Sequence, residues 1–351
     1  MKKLNELNLR GKKLKLPAFF PDATYGGIRS IDINDLKKTK TSGVVVNAYH
    51  LLKKGLIFEI EKSKGIHNHI GFQNPIISDS GGFQVMSLIH KSPELGRIIE
   101  KGAIFNDKGN EIALTPEKCI EIQLRIGSDI IMCLDDCTKP ELNLTKQRES
   151  VERTIRWAKR CKIHFDKLTE NLEKKPLLFA IIQGGTNKEL RKKCAEELLN
   201  LKFDGYSFGG WPVKDGKLLK GILKYTSKLI PDEFPKYAMG VGKPQDVIEC
   251  VNLGYNLFDC VIPTREARHR RLYIFHKNPE KNLEDSFSFL KINLKSKNSV
   301  KKISNFCDCE LCLNYNRKEL FRMFRDEPDK AKRLSTIHNL TFYRMLMDFL
   351  E

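Results

Sequence analysis

Short apolar runs recur along the chain, and each one ends in polar residues or glycine. Eight such runs can be counted: PAFFPDA (17–23), GVVVNAYH (43–50), PIISDSGG (75–82), DIIMCLDD (129–136), LLFAIIQGG (177–185), FDGYSFGG (203–210), KYAMGVG (236–242) and NLFDCVIP (256–263). Continuous rather than alternating hydrophobicity is typical of parallel strands that are covered on both faces. The pattern therefore predicts eight buried strands.

Helical periodicity fills several of the gaps between these runs. Thr115 is placed as an N-cap and Pro116 as the first helical residue of the segment that ends at residue 127. Three further segments repeat apolar residues at helical spacing, and they span residues 146–165, 187–201 and 244–254. The sequence thus predicts strands that alternate with helices.

Eight strands alternating with helices favour a (β/α)₈ barrel, the TIM barrel fold, over the alternative of a doubly wound open sheet. Residues 83–128 are too many for one connecting helix, so we expect an inserted hairpin within residues 102–114. The most polar stretch, residues 276–305, is the expected boundary between a catalytic barrel at 1–275 and a C-terminal zinc-binding subdomain at 276–351.

The C-terminal part holds a candidate metal site. Cys307, Cys309 and Cys312 lie within six residues, and a predicted helix at 316–328 leads back towards His338. Three thiolates and one imidazole complete a tetrahedral zinc site and leave no position for water, so the zinc would be structural. The alternative is that these are ordinary cysteines and a surface histidine.

Composition limits the partners and the compartment. The 351 residues carry 62 Lys and Arg against 44 Asp and Glu, a net charge of +18. Such an excess favours a polyanionic partner, nucleic acid first and an anionic membrane second, although a lysine-rich proteome would give the same balance. The sequence shows neither a spanning apolar run nor a signal peptide, and its ten cysteines are too dilute for a disulfide scaffold. We therefore expect a reducing, cytoplasmic setting.

Several of the apolar runs end in residues that could act on a ligand. Asp79 and Asp259 follow the third and eighth runs, and two carboxylates at one barrel mouth can divide the work of nucleophile and general acid/base. Asp135 and Gln183 follow the fourth and fifth runs, and together they offer acceptors and donors for the edge of a purine-like base. Four arginines close behind Asp259, at 265, 268, 270 and 271, suit phosphate. The combination suggests glycosidic chemistry on a nucleic acid.

Five motifs in this order resemble the tRNA-guanine transglycosylase family: SDSGGFQVMSL, IIQGG, MGVGKPQD, FDCVIPTREAR and CDCELC with a later histidine. The resemblance extends over most of the chain. It implies a (β/α)₈ barrel with a structural Zn²⁺ site, and exchange of guanine 34 in tRNAs with a GUN anticodon (those for Asp, Asn, His and Tyr) during queuosine biosynthesis. Asp259 would attack C1′ of the ribose to give a covalent intermediate, and Asp79 would be the general acid/base.

The resemblance also implies two sets of binding residues. The first would hold the base, and comprises Ser80, Gly81, Gly82, Phe83, Asp135, Gln183, Gly210 and Met239. The second would hold the RNA, and comprises Gly240, Val241, Gly242, Lys243, Pro244, Gln245, Asp246, Thr264, Arg265, Glu266, Ala267 and Arg268. The zinc ligands would be Cys307, Cys309, Cys312 and His338, and the family usually works as a homodimer.

The incoming base is expected to be the 7-deazaguanine preQ1, because Cys137 and Val213 match the bacterial pattern. Trp211, Pro212 and Asp215 depart from the usual family motif where it contacts the aminomethyl arm of that base. Queuine is the alternative substrate. Rival functions are a non-catalytic, zinc-stabilised tRNA-binding partner subunit and an enzyme that acts on DNA or on another tRNA position.

Overall fold

A computed structural model of the protein describes residues 4–107, 110–138 and 142–351. Its centre is a parallel sheet of eight strands: Ala18–Pro21, Val44–Asn47, Ile76–Asp79, Ile130–Met132, Leu177–Ile182, Gly205–Phe208, Lys236–Ala238 and Leu257–Cys260. The eighth strand pairs with the first, and a bridge between Asp22 and Val45 joins the first to the second. The sheet therefore closes into the predicted barrel, with one strand in each of the eight apolar runs.

The barrel interior is filled by side chains from alternate strand positions, such as Phe20, Met132 and Phe179, which are all fully buried. One end of the barrel is covered by an N-terminal hairpin, Glu6–Leu9 paired with Lys12–Lys15. Leucines of this hairpin and of the segment after it join the interior core, so this end is closed to solvent. The opposite end, where the strands have their carboxyl termini, is left for binding.

Helices surround the sheet and pack against the outer face of its strands. They are Ile33–Lys38, Ala48–Lys53, Ile57–Lys62, Ile66–Ile70, Gly82–Lys91, Pro116–Ile126, Leu144–Thr169, Lys188–Asn200, Lys220–Leu229, Pro244–Asn252 and Ile262–Arg268. Thr115 caps its helix as predicted, because its side chain accepts a hydrogen bond from the Lys118 amide at 3.2 Å. The other three predicted helices are also present.

The predicted insertion is a three-stranded antiparallel sheet rather than a hairpin alone. Gly102–Asp107 pairs with Asn110–Leu114, and Gly96–Ile99 adds a third strand on the other side. Residues 108 and 109 fall outside the described residues. This sheet packs beside the helix Gly82–Lys91, which follows the third barrel strand.

The C-terminal part consists of a β-hairpin and three helices. Arg271–Phe275 pairs with Phe287–Lys291, and the helices are Glu310–Asn314, Arg317–Asp326 and Pro328–Leu350. The last helix packs on the barrel, where the rings of Tyr343 and Phe19 lie 4.5 Å apart. The division of the chain at residue 275 stays a prediction. In the part of the chain that the structure describes, no helix is both long and apolar enough to cross a membrane.

Candidate active site and metal cluster

The carboxyl ends of the barrel strands surround a cavity of about 510 Å³. Its lining includes Asp79, Phe83, Asp135, Cys137, Gly210, Val213, Met239, Gly240 and Asp259, which the sequence predicts as site residues, and also Asp22, Asn47, His50, Gln84 and Trp211. Four of these residues are aspartates, and no lysine or arginine is among the described residues that line the cavity. The cavity is therefore strongly acidic.

Asp79 ends the third barrel strand and is held by its neighbours from several sides. Asn47 Nδ2 donates to Asp79 Oδ2 at 2.9 Å from the adjacent strand. The Gln84 side chain and the backbone amides of Ser80 and Gly81 also donate to this carboxylate. Burial nevertheless raises the pKa of Asp79, and the hydrogen bonds offset only part of that rise. A carboxyl with a raised pKa and a fixed position suits proton transfer.

The Ser80–Gly82 turn therefore uses its amides inside the protein. The Gly82 amide donates to Ser80 Oγ at 3.1 Å, while the two preceding amides bind Asp79. Gly81 has a φ of +79°, and a Cβ atom there would lie 2.4 Å from Cβ of Tyr49. Glycine is thus required for the turn that orients Asp79.

Asp259 projects into the cavity from the eighth strand. Its Oδ1 accepts a hydrogen bond from the Gly240 amide at 2.9 Å, and the Tyr237 hydroxyl donates to the same carboxylate. Burial, together with the charges of Asp79 and Asp22, raises the pKa of Asp259 to about 6 against the opposing effect of these two hydrogen bonds. The group is thus largely ionised at neutral pH, as a nucleophile must be.

Asp135 and Gln183 form a buried pair at the side of the cavity. Gln183 Nε2 donates to Asp135 Oδ2 at 2.5 Å, and burial raises the pKa of Asp135 to about 7. Asp136 turns the other way and binds Arg153 Nη1 at 2.5 Å. Gly209 allows the close approach of the next strand end, because a Cβ atom there would lie 2.6 Å from Gln183 Nε2. The pair and the Gly209–Gly210 turn therefore form one polar surface.

A fully buried arginine holds this surface together. Arg191 comes from the helix Lys188–Asn200, and its guanidinium donates to the carbonyls of Ile182, Gly185 and Gly209. Burial lowers the pKa of Arg191 to about 10, so it stays protonated at neutral pH. It ties together the loops that follow the fifth and sixth strands. No motif in the sequence singles it out.

A basic rim lies outside the acidic cavity. Arg268 lies near Arg29, Arg265 and Asp22. Burial and the charges of Arg29 and Arg265 lower the pKa of Arg268, and the opposite charge of Asp22 offsets part of this decrease. Arg29 and Arg265 are exposed, as is Lys243, whose Nζ donates to the Gly216 carbonyl at 2.9 Å. The cluster of Arg29, Arg265 and Arg268 is well placed for phosphate.

Other predicted RNA-binding residues are placed differently. Val241, Pro244, Thr264 and Ala267 are buried as whole residues, so they present almost no surface to RNA. Gly240 and Gln245 are exposed, and Gly242 is buried, with its carbonyl accepting a hydrogen bond from the Tyr343 hydroxyl. Asp246 lies in the first turn of the helix Pro244–Asn252.

Two of the four arginines behind Asp259 have close protein partners, whereas Arg265 Nε lies 4.0 Å from Glu266 Oε1. Arg270 lies over the ring of Phe324, 5.2 Å from its centroid. Arg271 Nη1 pairs with Glu266 Oε2 at 2.9 Å. These two side chains therefore help to dock the C-terminal part, and the phosphate-binding prediction keeps its support for Arg265 and Arg268.

The four predicted metal ligands converge on one point. The thiol sulfurs of Cys307, Cys309 and Cys312 lie 3.7, 3.4 and 3.2 Å from Nδ1 of His338. His338 Nε2 lies 2.8 Å from the Tyr273 carbonyl, which fixes Nε2 as the protonated nitrogen and leaves Nδ1 free to bind metal. All four ligand atoms lie within 4.8 Å of one another, as a tetrahedral site requires. The residues therefore fit a bound metal ion.

Comparison with known proteins agrees with this geometry. The sequence profile of the queuine tRNA-ribosyltransferase family matches residues 2–350. A protein of that name from Blochmanniella floridana is 40% identical over 340 residues, which cover 95% of this chain and 85% of the relative. Those from Buchnera aphidicola and Haemophilus ducreyi are 38% and 39% identical, over 97% and 95% of this chain and 89% and 84% of theirs.

The chain belongs to the queuine tRNA-ribosyltransferase family. This membership confirms the resemblance drawn from the five motifs and makes the chain a transglycosylase enzyme of tRNA modification. Residues of the five motifs contribute to the cavity, the basic rim and the metal cluster.

For this ribosyltransferase, sequence reasoning missed several residues that shape the site. Asn47 ends the second apolar run and could have been found by the same strand-end argument as Asp79. Gln84 was included in a motif but given no role, although its Oε1 has no hydrogen-bond partner among the described residues. Asp22 ends the first apolar run, so the strand-end argument could also have found it, whereas Arg29 gives no local signal because only the folded barrel brings it beside Arg268.

Proposed function

We propose that this enzyme exchanges guanine 34 of GUN-anticodon tRNAs for a 7-deazaguanine through a covalent enzyme–ribose intermediate. The observation that carries the proposal is the pair of carboxyl groups at one barrel mouth, Asp79 and Asp259, held in different environments beside a polar base-binding surface. Such a pair supports two successive displacements at one carbon atom.

In the first displacement, a carboxylate oxygen of Asp259 bonds to C1′ of the ribose while the bond from C1′ to N9 of guanine breaks. The departing base keeps the electron pair and takes up a proton from Asp79. In the second, Asp79 accepts the N9 proton of the incoming base, whose N9 attacks C1′ and releases Asp259. The raised pKa of Asp79 supports this shuttling of one proton, and the pKa of Asp259, about 6, leaves that carboxylate ionised at neutral pH.

Asp135 and Gln183 would recognise the guanine-like edge, with Gly210 and Met239 beside them and Phe83 against the ring face. The carboxylate of Asp135 can accept from the ring and exocyclic N–H groups of the base, and Arg191 keeps Gln183 and Gly209 in register. The target nucleotide has to leave its stack to reach this surface, which costs about a few kcal/mol and less in a loop.

PreQ1 is the base that the cavity supports best. Its aminomethyl arm is cationic, and the cavity offers four carboxylates without a lysine or arginine among its described lining residues. Trp211 packs edge to face on Phe83, with ring centroids 5.4 Å apart, and this aromatic pair leaves less room for the bulkier substituent of queuine. Queuine remains the second candidate.

The test is incorporation of labelled guanine into tRNA, with preQ1 and queuine as competing bases. We expect label to enter GUN-anticodon tRNAs only, and preQ1 to compete more strongly than queuine. Failure to label any of these tRNAs with the metal-loaded protein would overturn the proposal. Stronger competition by queuine would overturn only the choice of base.

We further propose that the Cys307–Cys309–Cys312–His338 cluster binds one structural zinc ion, and that the enzyme works as a homodimer in the reducing cytoplasm, where its ten cysteines form no disulfides. Zinc would fix the hairpin at Tyr273 to the helix Pro328–Leu350. Elemental analysis should find one zinc per chain, and Cys312→Ser should lose it and lower the melting temperature. An unchanged metal content in that variant would contradict the assignment.

Light scattering of the protein in solution would test whether the enzyme forms a homodimer.

A further inference from the structure

A third carboxylate lies beside the proposed nucleophile and has no assigned role. Asp259 pairs with Phe20 in the barrel register, and Asp22 follows Phe20 by two residues on the same strand face. Asp22 therefore points into the cavity about 7 Å further along the strand than the level of Asp259, on the mouth side. The cavity lining includes Asp22 and its neighbour Thr24.

The order of strands around the barrel places Asp22 on the sugar side of the cavity. The base-binding surface comes from the fourth, fifth and sixth strands, and the first strand lies across the barrel from them. Asp259 is on the eighth strand, next to the first. A ribose whose base is held by Asp135 and Gln183, and whose C1′ faces Asp259, must lie against the eighth, first and second strands.

We propose that Asp22 accepts a hydrogen bond from the 2′-hydroxyl of the target nucleotide and is the residue by which the enzyme selects ribose over deoxyribose at the reacting sugar. This inference rests on the proposed function, because that function brings C1′ to Asp259. The 2′-hydroxyl is attached to the carbon next to C1′, and a carboxylate is a strong acceptor for it.

The carboxylate of Asp22 can accept a further hydrogen bond from the 2′-hydroxyl. The Thr24 hydroxyl donates towards both of its oxygens, at 2.7 and 2.8 Å, which accounts for one donor. His50 lines the cavity on the same side, because it follows the second strand, which the Asp22–Val45 bridge joins to the first, and its ring packs edge-on to Tyr25 with centroids 5.4 Å apart. The rim cluster Arg29–Arg265–Arg268 lies close by, so a phosphate bound there leaves its sugar near Asp22.

The test compares two anticodon stem-loop RNAs that differ only in guanosine or 2′-deoxyguanosine at the target position. We would measure kcat/KM for exchange of labelled guanine with the wild type, Asp22→Val and Asp22→Asn, and use Asp326→Asn, an exposed aspartate, as the matched control. The wild type should prefer the ribonucleotide by roughly tenfold to a hundredfold, as expected for a hydrogen bond to a charged group. Asp22→Val should remove this preference.

The ratio of kcat/KM for the two RNAs isolates the contact between Asp22 and the 2′-hydroxyl. Removing Asp22 also lowers the pKa of Asp259, since its charge raises it, but that change acts on both substrates equally. The KM for free guanine should stay within about twofold, because the base lies across the barrel. Asp22→Asn should keep part of the preference, since its amide oxygen still accepts a hydrogen bond.

A preference that persists in Asp22→Val, or that is missing in the wild type, would overturn the proposal. If the variant instead loses affinity for preQ1 relative to guanine with the sugar preference intact, Asp22 reads the incoming base and the proposal is wrong. No exchange by the wild type on either RNA would contradict the proposed function instead.

Discussion

The cavity and its rim carry opposite charges and hold them in different ways. Inside, four aspartates face one another in a confined space, and burial raises the pKa of Asp79, Asp135 and Asp259. Outside, Arg29, Arg265 and Lys243 are exposed to solvent. The buried carboxyl groups are costly to ionise, so they can exchange protons near neutral pH. The exposed basic side chains are charged at little cost and are suited to binding phosphate. The comparison predicts that substitutions inside change the chemistry and that substitutions outside change RNA binding.

The largest effect is expected inside, for Asp259→Asn. Asparagine keeps an acceptor for the Gly240 amide but cannot form the ribosyl ester, so exchange should fall by roughly 10⁴-fold or more. Dissociation constants for tRNA, measured by filter binding, should change by less than about threefold. If tRNA affinity fell as much as the exchange rate, the cavity and the rim would not have the separate roles proposed here.

Asp135→Asn should weaken base recognition and stabilise the fold. We expect kcat/KM for guanine to fall about a hundredfold, because a charged acceptor for the base is lost. The same substitution should also affect stability. Because folding raises the pKa of Asp135 to about 7, the folded protein binds more protons than the unfolded chain between pH 4 and 7. The free energy of unfolding therefore falls as pH rises through that range. Asparagine avoids the cost, and urea unfolding should show about 1–3 kcal/mol more stability at pH 8 and little gain at pH 4.

The double variant Arg265→Ala, Arg268→Ala tests the rim. Two phosphate contacts would be lost, so the KM for tRNA should rise about tenfold at 0.15 M salt, with the maximal rate nearly unchanged. The slope of log affinity against log salt should become shallower by about one per lost contact. The matched control is Arg325→Ala, because Arg325 is exposed and, within the described residues, its ion pair is with the neighbouring Asp326. A reduced maximal rate with an unchanged salt slope would place these arginines in the chemistry.

The pH profile should show the smallest change in the working range. Asp259 attacks only when ionised, and its pKa of about 6 predicts a rate that is about tenfold lower at pH 5 than on the plateau above pH 7. The Asp135→Asn variant should keep this acid limb, which separates the two carboxyl groups. A limb that disappears in that variant would assign it to Asp135.

Sequence reasoning found the barrel because each apolar run is a buried strand, and it found Asp79, Asp135, Gln183 and Asp259 because these residues end such strands. It also found the four residues of the candidate metal cluster, three of which are close together in sequence. Sequence reasoning failed for contacts that arise only when the first and eighth strands pair and close the barrel. Asp22 reaches Asp259 only through the pairing of the first and eighth strands.

The same limit explains Arg191 and the arginines after Asp259. Arg191 reads as one more polar residue of an amphipathic helix, yet its side chain turns inward to three carbonyl groups that no local pattern reveals. Arg265 and Arg270 look alike in sequence, and only the docking of Phe324 against Arg270 separates a rim residue from a structural one.

The central claim is that Asp259 becomes covalently joined to the tRNA ribose, and the most direct measurement traps that species. Protein and tRNA are mixed without an incoming base, denatured and digested, and the adduct is located by mass spectrometry. The account predicts a ribonucleotide on the peptide that contains Asp259, formed by the wild type and Asp135→Asn but not by Asp259→Asn. An adduct on another residue, or exchange that proceeds with no adduct under any condition, would contradict it.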